Sequence, residues 1–566
     1  MNHASTDALS KTLQQSFSIP KNHISIGITN LLSQNKDLLT LLSHRRLPNA
    51  PLSDLTIQSL LLTLSNLDTN PPTPLASNRS TECGKWVGVG EREGRVYAPL
   101  VSQRHWGLAH GMGRSGDLAE AQPKALGSTI LVQLTKDLVL DALRRGCKLN
   151  DSGSHLYPKS GIASHGMVVP MCTGMSMALV LSTLKQAQMQ TQVQSQAQPK
   201  QRNLVLWSRI DQKSCLKAVS SAGLECMVIP TKREGDEVTT DLQALESILE
   251  QHADQVLAVI STTSAFAPRV ADRIDEVAKL LSAHNEAHHA NNGTNGTDEG
   301  VAHVINNAYG LQCERTNKLI NRACTLGRVD VMISSTDKNF LVPVGGAILT
   351  SPSSALMQAI GKHYAGRASS SPLVDLCITL LSMGLSGYQQ LLAERKALIP
   401  KFQKGFQEIA ERHGERLLTC PRNTISFGIT LDQLRKSNND GDGDGNGNGN
   451  DNDNESSSQN AKLTSLFGSM LFTRCVSGTR VVPQGQSKTI CGHEFVGFGS
   501  STDDFPHSYL TAACAIGLTE CELEEFFKRL ERCFKDFEKR RKREQKKKTV
   551  CQEEDGMIKT DEGIEH

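Results

Sequence analysis

The chemistry most open to this chain begins at Lys338, in the turn STDKN, directly after the apolar run VDVMISS and ahead of a second apolar segment ending in Gly345 and Gly346. A lysine held between two strands at the carboxyl edge of a parallel sheet can lose its hydration, which makes its amine a usable nucleophile. Amines so placed are how pyridoxal phosphate enzymes hold their cofactor, although a lone lysine in a turn is more often solvated. A second signal is VPMCTGMSMALV, where Thr173 and Gly174 open a helix after a loop. A hydroxyl beside free backbone N–H groups at a helix start binds phosphate, and serves equally as a cap. The third signal is HGMGRSGDLAEAQPK, residues 110–124. Gly111, Gly113 and Gly116 permit close backbone approach, while Arg114, Ser115 and Gln122 offer a guanidinium fork, a hydroxyl and an amide, a set suited to a phosphate monoester. The loop lacks the G-K-[ST] of a Walker A motif, and no strand precedes it as a dinucleotide fingerprint requires, so a nucleotide-binding enzyme is disfavoured.

These residues need a scaffold that brings them together. Short β-rich runs at 204–210, 226–230, 256–262, 303–310 and 329–335 alternate with amphipathic segments, the pattern of a parallel sheet covered on both faces. Leucine-rich amphipathic helices at 28–42 and 55–67 come first, set apart by the breaker-rich TNPPTP. They can pack on a neighbouring subunit or on their own core. After Pro372 a long helical stretch leads into SFGITL, RVVP, HEFVGFGS and a final helix over 521–540, which together make a smaller α+β domain. Three polar runs, at 186–201, 284–300 and 438–454, carry too little apolar content to offset ordering entropy and read as surface insertions.

Composition narrows the class. The 61 Lys plus Arg against 59 Asp plus Glu leave a net charge of +2, which excludes a uniformly basic binder of polyanions. Positive charge is local, with nine Lys or Arg against three acids in KDFEKRRKREQKKK (535–548), ahead of an acidic tail. With 38% hydrophobic residues and no apolar run near the roughly 18 residues of a spanning helix, no membrane role is expected. The first 30 residues lack the apolar core of a signal peptide, so a soluble intracellular protein is expected. The 15 cysteines form no C-x-x-C pair, so neither a disulfide framework nor a zinc ribbon is expected, and no metal.

The blocks GVGEREGRV, HGMGRSGDLAEAQPKALGS, VVPMCTGMS, RIDQKSC, STTSAFAPRV, INNAYG, STDKNFLVPVGGAI, YAGRASSSP and SMLFTRCVSGTRVVP run in that order from about residue 87 to 540. In them the chain resembles the O-phosphoseryl-tRNA(Sec) selenium transferases. The resemblance implies an α/β protein of fold type I, aspartate-aminotransferase-like, with a mainly parallel central sheet, a smaller C-terminal α+β domain and an N-terminal helical extension. The corresponding division is an N-terminal helical oligomerisation region (1–75), a large pyridoxal phosphate domain (76–370), a small domain (371–540) with a low-complexity insert at 436–460, and a charged tail (541–566). The implied activity is the last step of selenocysteine biosynthesis. O-phosphoseryl-tRNA(Sec) would become selenocysteinyl-tRNA(Sec) by β-elimination of phosphate and addition of selenium from selenophosphate, with pyridoxal 5'-phosphate as cofactor, in a cytoplasmic homotetramer.

Residue by residue, the resemblance makes Lys338 the Schiff-base lysine. Thr173, Gly174 and Met175 would hold the cofactor phosphate, Gln212 would cover the ring, and Arg92 would complete the neighbouring subunit's cofactor site. Asn306 would face the pyridine, where enzymes of this fold place an acid. An amide there can hydrogen-bond the ring but cannot stabilise a pyridinium as an ion does. Arg114, Ser115, Gln122 and Arg367 would bind the substrate phosphate, Glu91 would screen against other ligands, and Arg474 and Lys539 would contact tRNA. One basic residue that the family turns toward tRNA falls on Thr325, with Arg322 and Arg328 nearby. Two competing readings are a pyridoxal phosphate lyase or desulfurase acting on a free amino acid, and a noncatalytic tRNA-binding protein. A desulfurase needs a mobile cysteine, and none sits in a distinctive glycine-rich loop. The intact lysine and phosphate-loop blocks weigh against the noncatalytic reading.

Overall fold

The computed structural model describes residues 10–16, 20–69, 86–91, 93–114, 116–150, 161–195, 202–292, 300–434 and 453–561. After a short helical segment at residues 10–16 come helices α1 (Lys21–His44) and α2 (Asp54–Ser65). Ser53 caps α2 by accepting the Thr56 N–H at 3.2 Å, and Ile57, Leu60, Leu61 and Leu64 bury its apolar face in the main core. So α2 packs on its own chain, whereas Ile26 and Leu39 of α1 stand exposed. Helix α3 (Pro99–Arg104) precedes the glycine-rich loop and α4 (Leu126–Asp141) follows it. The Asp68 carboxylate fixes the first turn of α4, accepting from the Ser128 N–H at 3.0 Å and its hydroxyl at 2.6 Å.

The large domain continues as β1 (His165–Val169), α5 (Thr173–Ser195), β2 (Leu204–Ser208), α6 (Lys213–Ser221), β3 (Glu225–Ile229), the hairpin β4 (Thr231–Glu234) and β5 (Glu237–Thr240), and α7 (Leu242–Gln251). Then come β6 (Val256–Thr262), α8 (Ile274–Asn292), β7 (Ala302–Asn306), α9 (Glu314–Leu326), β8 (Val331–Ser335), α10 (Thr336–Phe340), β9 (Ala347–Ser351) and α11 (Ser354–His363). Seven strands form one sheet in the order β1-β9-β8-β7-β6-β2-β3. Side chains alternate across it with the period of two that a strand imposes. Leu204 and Leu206 enter one core with Ile229, Val256 and Leu281, while Val205 and Trp207 enter the other with Ala258 and Ile260. Both faces are therefore apolar and covered, as a parallel sheet requires. The exception is β9, antiparallel to both β8 and β1. The connection 336–346 holds only the short α10, too little chain for the crossover that a parallel return needs.

Helix α12 (Ser371–Arg412), kinked at Gly384 where the backbone takes φ 60°, joins the domains. Its first part, including Leu373, Leu380 and Tyr388, belongs to the large core, and its second, including Leu398, Phe402 and Phe406, to the small one. The two domains thus share a helix where the sequence suggested a boundary at 370/371. By length and composition α12 could cross a membrane, but Leu376, Leu380 and Leu381 are buried in the protein's own core. The small domain adds β10 (Ser426–Thr430), α13 (Asp453–Thr473), β11 (Arg480–Val482), β12 (Lys488–Ile490), β13 (His493–Phe495), β14 (Tyr509–Ala513) and α14 (Glu520–Asp561).

Two polar runs expected as surface insertions are partly helical. Helix α5 continues through the Gln-rich stretch to Ser195, and α8 continues to Asn292. Gln, Ala, Met and Glu are good helix formers, so a low apolar content denies burial without denying a helix. Residues 196–201, 293–299 and 435–452 lie outside the described residues. Lys, Arg, Glu and Gln, also good helix formers, carry α14 past the expected end at 540 as far as Asp561.

Candidate active site

Strands β2, β6, β7 and β8 pair in parallel, and β1 runs with them because β9 opposes both of its neighbours. Whatever follows these strands therefore lies on one edge of the sheet, the carboxyl edge where open α/β sheets bind ligands. Thr173 opens α5 after β1, Gln212 precedes α6 after β2, Asn306 ends β7, and Lys338 follows β8.

Contacts join these positions. A Cβ on Gly174 would lie 3.3 Å from that of Ser214, so the starts of α5 and α6 touch. Asn306 Nδ2 donates to Cys215 Sγ at 3.2 Å. Burial pushes that thiol up to about 12, which makes it a neutral acceptor and not a nucleophile. The Asn339 amide donates to Ala308 O at 2.9 Å and Ser335 O at 2.7 Å, pinning α10 to the turn after β7. Gln312 donates to Lys338 O at 3.5 Å and accepts the Ile516 N–H at 2.7 Å, tying the lysine's helix to the small domain. Buried Arg395 completes the junction by donating to the carbonyls of Gln312, Thr424 and Cys514 at 2.9, 2.6 and 2.8 Å.

Lys338 Nζ lies 3.0 Å from Asp337 Oδ2 and 3.2 Å from Ser335 Oγ, and its side chain is 46% exposed. The expected desolvation between two strands is not found. The helical turn α10 swings the amine outward beside a carboxylate, a partner visible in the sequence only as the preceding acid. Asn306 itself is 3% exposed, and its Oδ1 has no hydrogen-bond partner. A buried amide oxygen left open at a strand end can accept from a ring N–H. The first-turn N–H groups of Thr173, Gly174 and Met175 have no partners within α5 and form a ready anion cradle. An amine, an open amide oxygen and a helix start on one edge fit pyridoxal phosphate.

The glycine-rich loop is built differently. Gly111, Gly113 and Gly116 take φ of 71°, 73° and 91°. A Cβ on Gly111 would collide with the Ala368 carbonyl, and one on Gly113 would lie 2.7 Å from Leu118 Cα. Arg114 and Asp117 exchange backbone hydrogen bonds of 2.9 and 2.8 Å, Met112 N–H donates to Ala368 O at 2.9 Å, and Leu118 N–H to Gly361 O at 3.1 Å. The loop thus lies along the segment 361–368 and brings Arg367 to it, whose Nη2 donates to His110 O. Arg114 is exposed, 3.3 Å from Glu120. Gln122 is half-buried nearby, and Glu91 is exposed. Arg92 and Ser115 lie outside the described residues. Sequence reasoning missed Glu93, which pairs with Lys124 at 2.9 Å; that hydrogen bond holds its carboxyl below the usual range. A cavity of about 870 Å³ opens behind the loop between Met112, Glu120, Arg45, Arg144 and Met167, away from Lys338.

On the small domain, Arg474 at the end of α13 pairs with Asp536 of α14 at 2.8 Å. Lys539, three residues further on, is exposed. The two residues expected to meet tRNA therefore share a surface, but Arg474 is committed to an ion pair. Around Thr325, Arg322 lies 3.1 Å from Asp275 and Arg328 2.9 Å from Asp330, so both cations have carboxylate partners.

The family profile described as O-phosphoseryl-tRNA(Sec) selenium transferase, SepSecS, matches residues 77–535. The chain belongs to the O-phosphoseryl-tRNA(Sec) selenium transferase family. It is 44% identical to the Dictyostelium discoideum O-phosphoseryl-tRNA(Sec) selenium transferase over 91% of this chain and 97% of that one. Its identity to the Methanopyrus kandleri transferase of the same name is 34%, over 73% of this chain and 83% of the relative. A crystal structure of an archaeal O-phosphoseryl-tRNA(Sec) selenium transferase (SepSecS) matches with a TM-score of 0.71 at 25% identity, covering 91% of this chain and 98% of that one. The sheet and its helical cover are the fold type I architecture that the resemblance implied.

Proposed function

We propose that the protein converts O-phosphoseryl-tRNA(Sec) to selenocysteinyl-tRNA(Sec), with selenophosphate as the selenium donor and pyridoxal 5'-phosphate as its cofactor. The observation that carries this reading is the meeting of Lys338, the open Asn306 Oδ1 and the start of α5 on one sheet edge. Bound pyridoxal phosphate supplies an electron sink that makes the α-proton of the seryl group acidic and lets phosphate leave from the β-carbon. Lys338 Nζ, within 3.2 Å of Ser335 Oγ and Asp337 Oδ2, is the amine placed to hold that group and to carry a proton to and from the substrate. Asn306 and Gln212 orient the ring, and Thr173, Gly174 and Met175 bind its phosphate, with Arg92 of a neighbouring subunit. Arg114 and Arg367, with Ser115 and Gln122, grip the substrate phosphate and favour phosphoserine over serine through charge-assisted hydrogen bonds. Glu91 screens against other ligands.

Arg474 and Lys539 are the tRNA-facing residues of this reading. The working assembly is a homotetramer in the cytoplasm, in keeping with the exposed Ile26 and Leu39 of α1 and the exposed Val87, Tyr97 and Leu100. Purified protein given pyridoxal phosphate, selenophosphate and phosphoseryl-tRNA(Sec) should yield selenocysteinyl-tRNA(Sec), and seryl-tRNA(Sec) should be inert. Equal turnover of the two tRNAs, or none of either by protein carrying its cofactor, would count against the reading.

A further inference from the structure

His110 opens the glycine-rich loop and has no role in the chemistry above. Its side chain is 4% exposed, yet neither Nδ1 nor Nε2 has a hydrogen-bond partner. A neutral imidazole presents one N–H and one lone pair, and folded proteins rarely leave both buried without a partner unless something binds there. Its own carbonyl receives Arg367 Nη2, and the next residue, Gly111, is pressed against Ala368, so the His110 backbone is held against the segment that carries Arg367. The charged groups that face it are Asp68, Glu93, Lys124 and Arg367. Both anions are already engaged, Asp68 with Ser128 and Glu93 with Lys124. Burial pushes the imidazole below its ordinary pKa, Lys124 and Arg367 add to that, and Asp68 and Glu93 oppose it.

We propose that the His110 imidazole is a ligand of the substrate phosphate, donating a hydrogen bond to it beside Arg367 and taking up one proton from solvent as the dianion enters. This rests on the reading of loop 110–124 as the substrate-phosphate site. An incoming dianion favours the imidazolium form, because an opposite charge within a few ångströms stabilises the charged state. The ring thereby responds to the charge of the ligand as well as to its shape, so an unphosphorylated serine leaves it neutral and its N–H unpaired.

Sulfate is the suitable probe, a tetrahedral dianion that does not itself titrate near neutrality. Its binding to the full-length holoenzyme would be measured by calorimetry in buffers of different ionisation enthalpy. The wild-type protein should take up about one proton per sulfate, as the imidazole becomes imidazolium beside the bound dianion. His110→Asn and His110→Gln should abolish the uptake and weaken sulfate roughly tenfold, one unit of lost linkage. The cofactor absorbance checks that each variant is folded. Sulfate binding without proton uptake in the wild type, or the same uptake in both variants, would overturn the proposal. Unaltered sulfate binding by Arg114→Ala and Arg367→Ala would instead overturn the reading of the loop on which it rests.

Discussion

Asn306 and Arg114 belong to one proposed site, yet Asn306 is 3% exposed at the end of a strand, while Arg114 is 51% exposed in a loop of positive-φ glycines. The cofactor end is made of strand and helix termini locked by side-chain hydrogen bonds such as Asn306 to Cys215 and Asn339 to Ser335. The substrate end is made of backbone pairs between 112–118 and 361–368, with guanidinium groups reaching over them. Rigid packing suits a group that stays through many turnovers, since its binding geometry is prepared before it arrives. A loop with exposed cations suits a ligand that must enter, be checked for charge and leave.

Substitutions at the two ends should fail in different ways, the largest at the cofactor end. Lys338→Ala should lower selenium transfer by about 10³-fold or more and remove the Schiff-base absorbance, in single-turnover assays beside spectra. At the substrate end, Arg114→Ala and Arg367→Ala should each lower kcat/KM by roughly 10- to 150-fold, the worth of a charge-assisted hydrogen bond of about 1.5–3 kcal/mol. The cofactor spectrum should not change, and a spectrum lost with Arg114 would erase the distinction between the ends.

Gly113→Ala should act through the backbone. A Cβ there meets Leu118 Cα at 2.7 Å and the left-handed φ costs about 1–2 kcal/mol, so substrate affinity should fall with cofactor binding intact. Acid should strain the large domain through His303, whose Nε2 faces Ser261 Oγ at 2.8 Å and Nδ1 faces Arg328 O at 2.9 Å. Burial holds its pKa below the ordinary value. The unfolded chain therefore binds the proton more readily than the folded one, and stability should fall as pH drops below about 6.5. Thermal midpoints that rise on acidification would contradict this. The smallest effect is expected at Lys539→Ala, which should weaken tRNA(Sec) binding and reduce its salt slope by about one unit.

Much of the cofactor end was legible because its strands are continuous runs such as VLAVIST, buried on both faces, and because the block around Lys338 is long and distinctive. The orientation of β9 was not, since it depends on how little chain separates Ser335 from Ala347. The exposure of Lys338 escaped for a related reason, as a five-residue helix and an open turn look alike in STDKN. At the substrate end the glycines and arginines could be read directly. The burial of His110 and the pairing of Glu93 with Lys124 could not, because they arise from segments far apart in sequence that meet only on folding. The helix α12 hid the domain boundary, since nothing in its composition marks where its buried face passes from one core to the other.

The central claim is that Lys338 carries the cofactor. Borohydride reduction of the holoenzyme followed by peptide mapping tests it most directly. The account predicts a single pyridoxyl adduct, on Lys338, that is missing from the Lys338→Ala protein. An adduct on Lys213 or any other lysine, or no adduct in protein that transfers selenium, would contradict it.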